Sequence, residues 1–128
     1  MVIQTYFDQI KKVLNRFATT HFVIEVKIHL DIRPGEQGYI KGTIHFIDHS
    51  TLHFIEFLDA FKDIVDKLKY SYHYQDKTNK LIFRYDDAVH KPILPFREHK
   101  HLPEEILESP APTLSDVIVE IFTIKEWI

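Results

Sequence analysis

Apolar side chains recur along this chain with two different periods, and each period names an element. Ile3, Tyr6, Phe7, Ile10, Val13, Leu14 and Phe17 fall every three or four residues, with Lys11, Lys12, Asn15 and Arg16 between them. That spacing predicts an amphipathic helix over residues 1–18. From residue 21 the period drops to two. Phe22, Ile24, Val26, Ile28, Leu30 and Ile32 alternate with a largely polar set, which predicts a long half-buried strand. Pro34, Gly35 and Gly38 mark a turn, after which Ile40, Ile44 and Phe46 resume the apolar face on a second strand. Residues opposed across an antiparallel pair lie on the same side of the sheet. Pairing Arg33 with Tyr39 meets that condition, setting Ile32 against Ile40 and Ile28 against Ile44.

A third strand is expected from Leu52 to Leu58, and Phe54, Ile55 and Phe57 make it apolar on both faces, as a central strand would be. Ala60 to Lys69 fits a helical turn, a bulge or more strand equally well. Lys69–Gln75 and Leu81–Asp86 form the clearest hairpin, around the turn residues Asp76 to Lys80. An even loop pairs Tyr74 with Phe83 and Tyr72 with Tyr85 on an aromatic inner face. The same register pairs His73 with Arg84 and Ser71 with Asp86 on the other face, which Gln75 shares. Residues 87–112 lose all periodicity and hold five of the six prolines, so they read as a long irregular loop. Thr113 and Asp116 then form a capping box ahead of Leu114, Val117, Ile118 and Ile121, predicting a helix over 113–126. The expected fold is one α+β domain over residues 1–128, an antiparallel sheet of four to five strands within 21–86 with the N- and C-terminal helices packed on one face.

Composition narrows the classes. A chain of 128 residues buries roughly two-thirds of its unfolded surface, enough for one core. With 45% hydrophobic and 27% charged residues it is neither disordered nor fibrous. The absence of cysteine excludes disulfides, thiolate metal sites and cysteine nucleophiles. No apolar run approaches the roughly 20 residues needed to span a bilayer, and the amphipathic start is unlike a signal peptide, so a cytoplasmic protein without membrane association is expected. The formal charge of -3 argues against a generic polyanion binder, although nine histidines can make the surface more positive beside a phosphate. Trp127 and Ile128 are more apolar than a chain end requires, which favours a homodimer contact.

Two constellations carry chemistry. His73, Arg84 and Asp86 share a sheet face, where Arg84 can clamp a phosphate and His73 can move a proton; a solvated Arg84–Asp86 ion pair beside an indifferent histidine is the competing reading. His90, His99, Lys100 and His101 cluster in the loop, and the i, i+2 spacing sends His99 and His101 to the same side. A histidine pair beside a lysine suits metal-independent RNA cleavage. Zinc is the rival, with His90, Asp86 or Glu98 as third ligand, but the spacing matches no strict zinc pattern, so neither a metal nor another cofactor is assigned. His29, His45, His49 and His53 read as structural.

Tyr70 to Gln75, read as YSYHYQ, Leu81 to Ala88, read as LIFRYDDA, then His90, Phe96, His99-Lys100-His101 and Ser109 to Leu114, read as SPAPTL, together resemble the TumE family of prokaryotic toxin–antitoxin proteins. The chain departs from that pattern at Asp87, Val89, Lys91 and Arg97-Glu98, which thins the histidine cluster. The resemblance implies a toxin neutralised by a cognate antitoxin. Residue chemistry adds RNA as a target, with His73 and His99 or His101 exchanging protons, Arg84 and Lys100 holding phosphate, Asp86 orienting a partner, and His90 and Gln75 contacting substrate. The alternatives are a non-catalytic module whose loop engages an antitoxin or another protein, and a metal-dependent nuclease.

Overall fold

The computed structural model describes residues 2–87 and 96–128. Helix α1 (Val2–Ala18) leads into strands β1 (Val23–Arg33), β2 (Gln37–Phe46), β3 (Thr51–Phe61), β4 (Ile64–Gln75), β5 (Leu81–Asp86), β6 (His99–His101) and β7 (Ile106–Glu108), and helix α2 (Leu114–Ile124) follows. Each strand pairs antiparallel with the next, so the sheet is a meander in chain order. Among the described residues it has seven strands where four to five were expected. The two additional strands, β6 and β7, come from the stretch read as an irregular loop. Each is only three residues long. At that length no periodicity is visible, and the strands exist because β5 offers an unpaired edge to extend.

Both helices cover one face. α1 buries Ile3, Phe7, Ile10 and Leu14. α2 starts at the expected N-cap, with the Thr113 side chain accepting from the Asp116 amide and the Asp116 carboxylate accepting from the Thr113 amide, and buries Leu114, Val117, Ile118, Ile121 and Phe122. Opposite them, β2 contributes Ile40 and Ile44, β3 Leu52, Phe54 and Leu58, β4 Tyr70, Tyr72 and Tyr74, and β5 Phe83 and Tyr85, all buried. The β4–β5 hairpin has the expected pairing, Tyr74 with Phe83, Tyr72 with Tyr85, His73 with Arg84 and Ser71 with Asp86.

The first hairpin is tighter than expected. Arg33 pairs with Gln37, not Tyr39, because Gly35 and Glu36 turn the chain with φ of 77° and 57°. A shift of two residues keeps the expected faces from Glu25 onward, so Leu30 meets Ile40 and Val26 meets Ile44, while a register shift between Val23 and Glu25 pairs Val23 with Phe46. The open question at Ala60 to Lys69 resolves as strand: Phe61 pairs with Ile64 across a two-residue turn, Lys62 and Asp63, both at positive φ.

One carboxylate lies inside the core. Glu56 is 1% exposed and accepts from the hydroxyls of Tyr6 and Tyr72. Burial, then the charge of Glu56, push both phenols far above their ordinary pKa and keep them neutral donors. Trp127, expected as a subunit contact, instead stacks on Phe22 at 5.1 Å and meets Phe46 and Phe122 within its own chain, which removes it from the case for a homodimer. Among the described residues no helix is long and apolar enough to cross a membrane.

Candidate functional site

With both helices on one side, the other side of the sheet is open, and alternation decides what it carries. Two rows of side chains run across it. Thr43, His53, His73, Arg84 and His101 are successive partners from β2 to β6. Lys41, Ile55, Ser71, Asp86 and His99 form the adjacent row.

The first row is hydrogen-bonded in a way that sets its tautomers. Arg84 Nη1 lies 3.3 Å from His73 Nδ1, and a guanidinium only donates, so Nδ1 accepts and the ring proton sits on Nε2. That Nε2 donates to Gln75 Oε1 at 3.1 Å. Burial first, then the charge of Arg84, lower the pKa of His73 below the ordinary histidine value. His73 is therefore a neutral imidazole at neutral pH. His53, whose ring centre is 6.4 Å from that of His73, has its pKa lowered by burial, then by His45 and Lys41.

Asp86 joins the two rows. Its side chain is only 5% exposed; Oδ2 accepts from Arg84 Nε at 2.6 Å, while Oδ1 lies 2.5 Å from His99 Nε2 and 3.7 Å from His101 Nε2. His99 is fully buried, and its Nδ1 donates to the carbonyl of Arg97 at 2.6 Å. A pocket of about 410 Å³ opens beside this cluster. Ile55 and Phe57 give it an apolar wall, Lys69, Arg84 and Arg97 a cationic one, and Asp86 and Asp87 an acidic edge.

Of the residues singled out by sequence, the fold brings together His73, Gln75, Arg84, Asp86, His99 and His101. It does not bring Lys100. The alternation that turns His99 and His101 to the open face turns Lys100 to the helix face, where Nζ donates to Glu120 Oε2 at 2.6 Å and lies over the rings of Phe83 and Tyr85. His99 is fully buried, which leaves it no access to substrate. His90 lies outside the described residues. Sequence reading missed Lys69, Arg97 and Phe57 and took His53 for structural, although the parity of β3 against β4 would have placed His53 beside His73. Among the described residues, Asp86, His99 and His101 also form a group that could hold a metal ion.

No curated protein and no solved structure matches the chain. A family model described as Toxin TumE matches residues 10–128. That span includes all seven strands, the open-face cluster and most of α1, so this chain belongs to the TumE toxin family, whose members are toxin components of toxin–antitoxin systems.

Proposed function

We propose that this toxin acts on RNA by gripping a backbone phosphate in the pocket beside Arg84. The observation that carries the reading is one constellation: three cationic side chains, Lys69, Arg84 and Arg97, around a pocket walled by Phe57 and Ile55, with a neutral imidazole bonded to the central one. The chain as a whole is acidic, so this is a local phosphate site and not a general polyanion surface. Phe57 offers a face on which a base can stack.

A phosphate reaching the pocket competes for the Arg84 guanidinium and releases His73 Nδ1. The freed lone pair takes the proton of a 2′-hydroxyl, whose oxygen attacks the adjacent phosphorus while Arg84, Lys69 and Arg97 balance the charge on the phosphorane. The P–O5′ bond breaks, and the departing oxygen takes a proton from solvent. As a toxin of this family the protein is expected to have a cognate antitoxin as its partner, which would silence the site by covering the open face.

The test is incubation of purified protein with an RNA oligonucleotide and with its 2′-deoxy counterpart. Cleavage of the RNA alone is expected, with Arg84→Ala and His73→Ala each lowering the rate by about 100-fold. Folded variants that cleave as fast as the parent would overturn the assignment of these residues. Tight antitoxin binding by a protein that turns over no RNA would replace it with a non-catalytic binding module.

A further inference from the structure

We propose that Asp86, His99 and His101 form a binding site for a divalent transition-metal ion, a role that does not depend on the RNA reading. One potential ligand atom from each residue lies within 4.8 Å of the others, and Asp86 Oδ1 is 2.5 Å from His99 Nε2 and 3.7 Å from His101 Nε2. They come from adjacent strands, where β5 and β6 pair Asp86 with His99 and Arg84 with His101, so backbone hydrogen bonds set their spacing. Two imidazoles and one carboxylate are the donor set of borderline ions such as Zn²⁺, Fe²⁺, Co²⁺ or Ni²⁺; Mg²⁺ and Ca²⁺ prefer oxygen alone.

The surrounding bonds point the same way. His99 Nδ1 donates to the Arg97 carbonyl, which turns Nε2 toward Asp86. Asp86 Oδ2 is held by Arg84 Nε, which leaves Oδ1 facing the two rings. Ligating histidines are oriented by such partners on the far ring nitrogen, and ligating carboxylates by donors on the second oxygen. Nε2 and Oδ1 are 2.5 Å apart, and two acceptors that close need a cation between them, either a proton or a metal. A metal at ordinary bond lengths in tetrahedral geometry would widen that gap to roughly 3.3 Å, within the swing of one carboxylate. The site is nearly dry, with side-chain exposures of 0% for His99, 5% for Asp86 and 16% for His101, while Asp86 borders the 410 Å³ pocket. Three protein ligands leave a further position for water or a phosphate oxygen.

Co²⁺ alone is the probe, titrated into the full chain. One equivalent is expected to bind with visible d–d absorption, and Zn²⁺ should displace it. In ¹⁵N spectra of the parent protein the Nε2 resonances of His99 and His101 should respond to Zn²⁺ while those of His53 and His73 stay in place. His101→Gln, at the most exposed ligand, should lower affinity at least tenfold with unchanged circular dichroism, and His53→Gln should not. Asp86→Asn, checked for folding in the same way, is the second variant. Failure to take up one equivalent, uptake read at other histidines, or affinity unchanged in His101→Gln would overturn the site. RNA cleavage in chelator without metal uptake removes the metal site and leaves the RNA reading standing; uptake without any cleavage does the reverse.

Discussion

His73 illustrates how burial and a neighbouring cation together set the state of a titratable group. Burial is the larger cost of charging His73, and because Arg84 donates to Nδ1, protonating that nitrogen would also place two cations against each other. His53 is disfavoured as a cation in the same direction, by burial and by the facing His45 and Lys41. The consequence for stability follows from linkage. Both folded pKa values lie below the unfolded value of about 6.5, so the unfolded chain binds protons that the folded chain resists. Their contribution is complete above pH 6.5 and declines as the pH falls from there through the lowered folded values. Thermal melts between pH 7.5 and 5 should therefore show a smaller loss of Tm in the His53→Asn, His73→Asn double variant than in the parent. An equal or steeper loss in the variant would show that these two groups are not the source.

Within the elements, packing is strictest where α1 and β3 meet the inner strands. A Cβ added to Gly42 on β2 would fall 2.2 Å from Phe54 Cζ, so the ring must leave its place in the core. Gly42→Ala is expected to cost about 1–3 kcal/mol in urea unfolding; a loss below about 0.5 kcal/mol would mean that Phe54 relocates freely. The β3–β4 connection explains why sequence left Ala60 to Lys69 open. Lys62 and Asp63 both adopt positive φ without the Asn-Gly or Asp-Gly pair that marks such turns, so the local signal was missing and strand pairing imposed the conformation. The β4–β5 hairpin was legible because its alternation extends over many residues on both strands, and only one parity satisfies both faces.

At the scale of the whole molecule the sheet divides the labour between its faces. The helix face holds the core and the buried Glu56 network; the open face holds the pocket, the imidazoles and Asp86. Lys100 belongs to the first. Burial opposes its charge, but the hydrogen bonds to Glu120 and Tyr85 outweigh that and raise its pKa, so it fastens β6 to α2 as a cation. Lys100→Ala should lower stability by about 1–2 kcal/mol in urea unfolding while leaving RNA cleavage and Co²⁺ uptake unchanged. A selective loss of cleavage in a fully stable variant would return Lys100 to the site.

The sequence by itself determined which side chains share a face, both helices, the capping box at Thr113 and the pairing of His73 with Arg84. All of these follow from alternation or from contacts a few residues apart, which are local properties of a chain. Only the tertiary structure decided that His99 and His101 become a sixth strand against β5, that Lys100 leaves the cluster, and that Lys69, Arg97 and Phe57 enclose the pocket. A three-residue strand has no periodicity of its own. It forms only where a folded sheet presents an edge, so the half of the site it carries exists only once the rest of the sheet is in place.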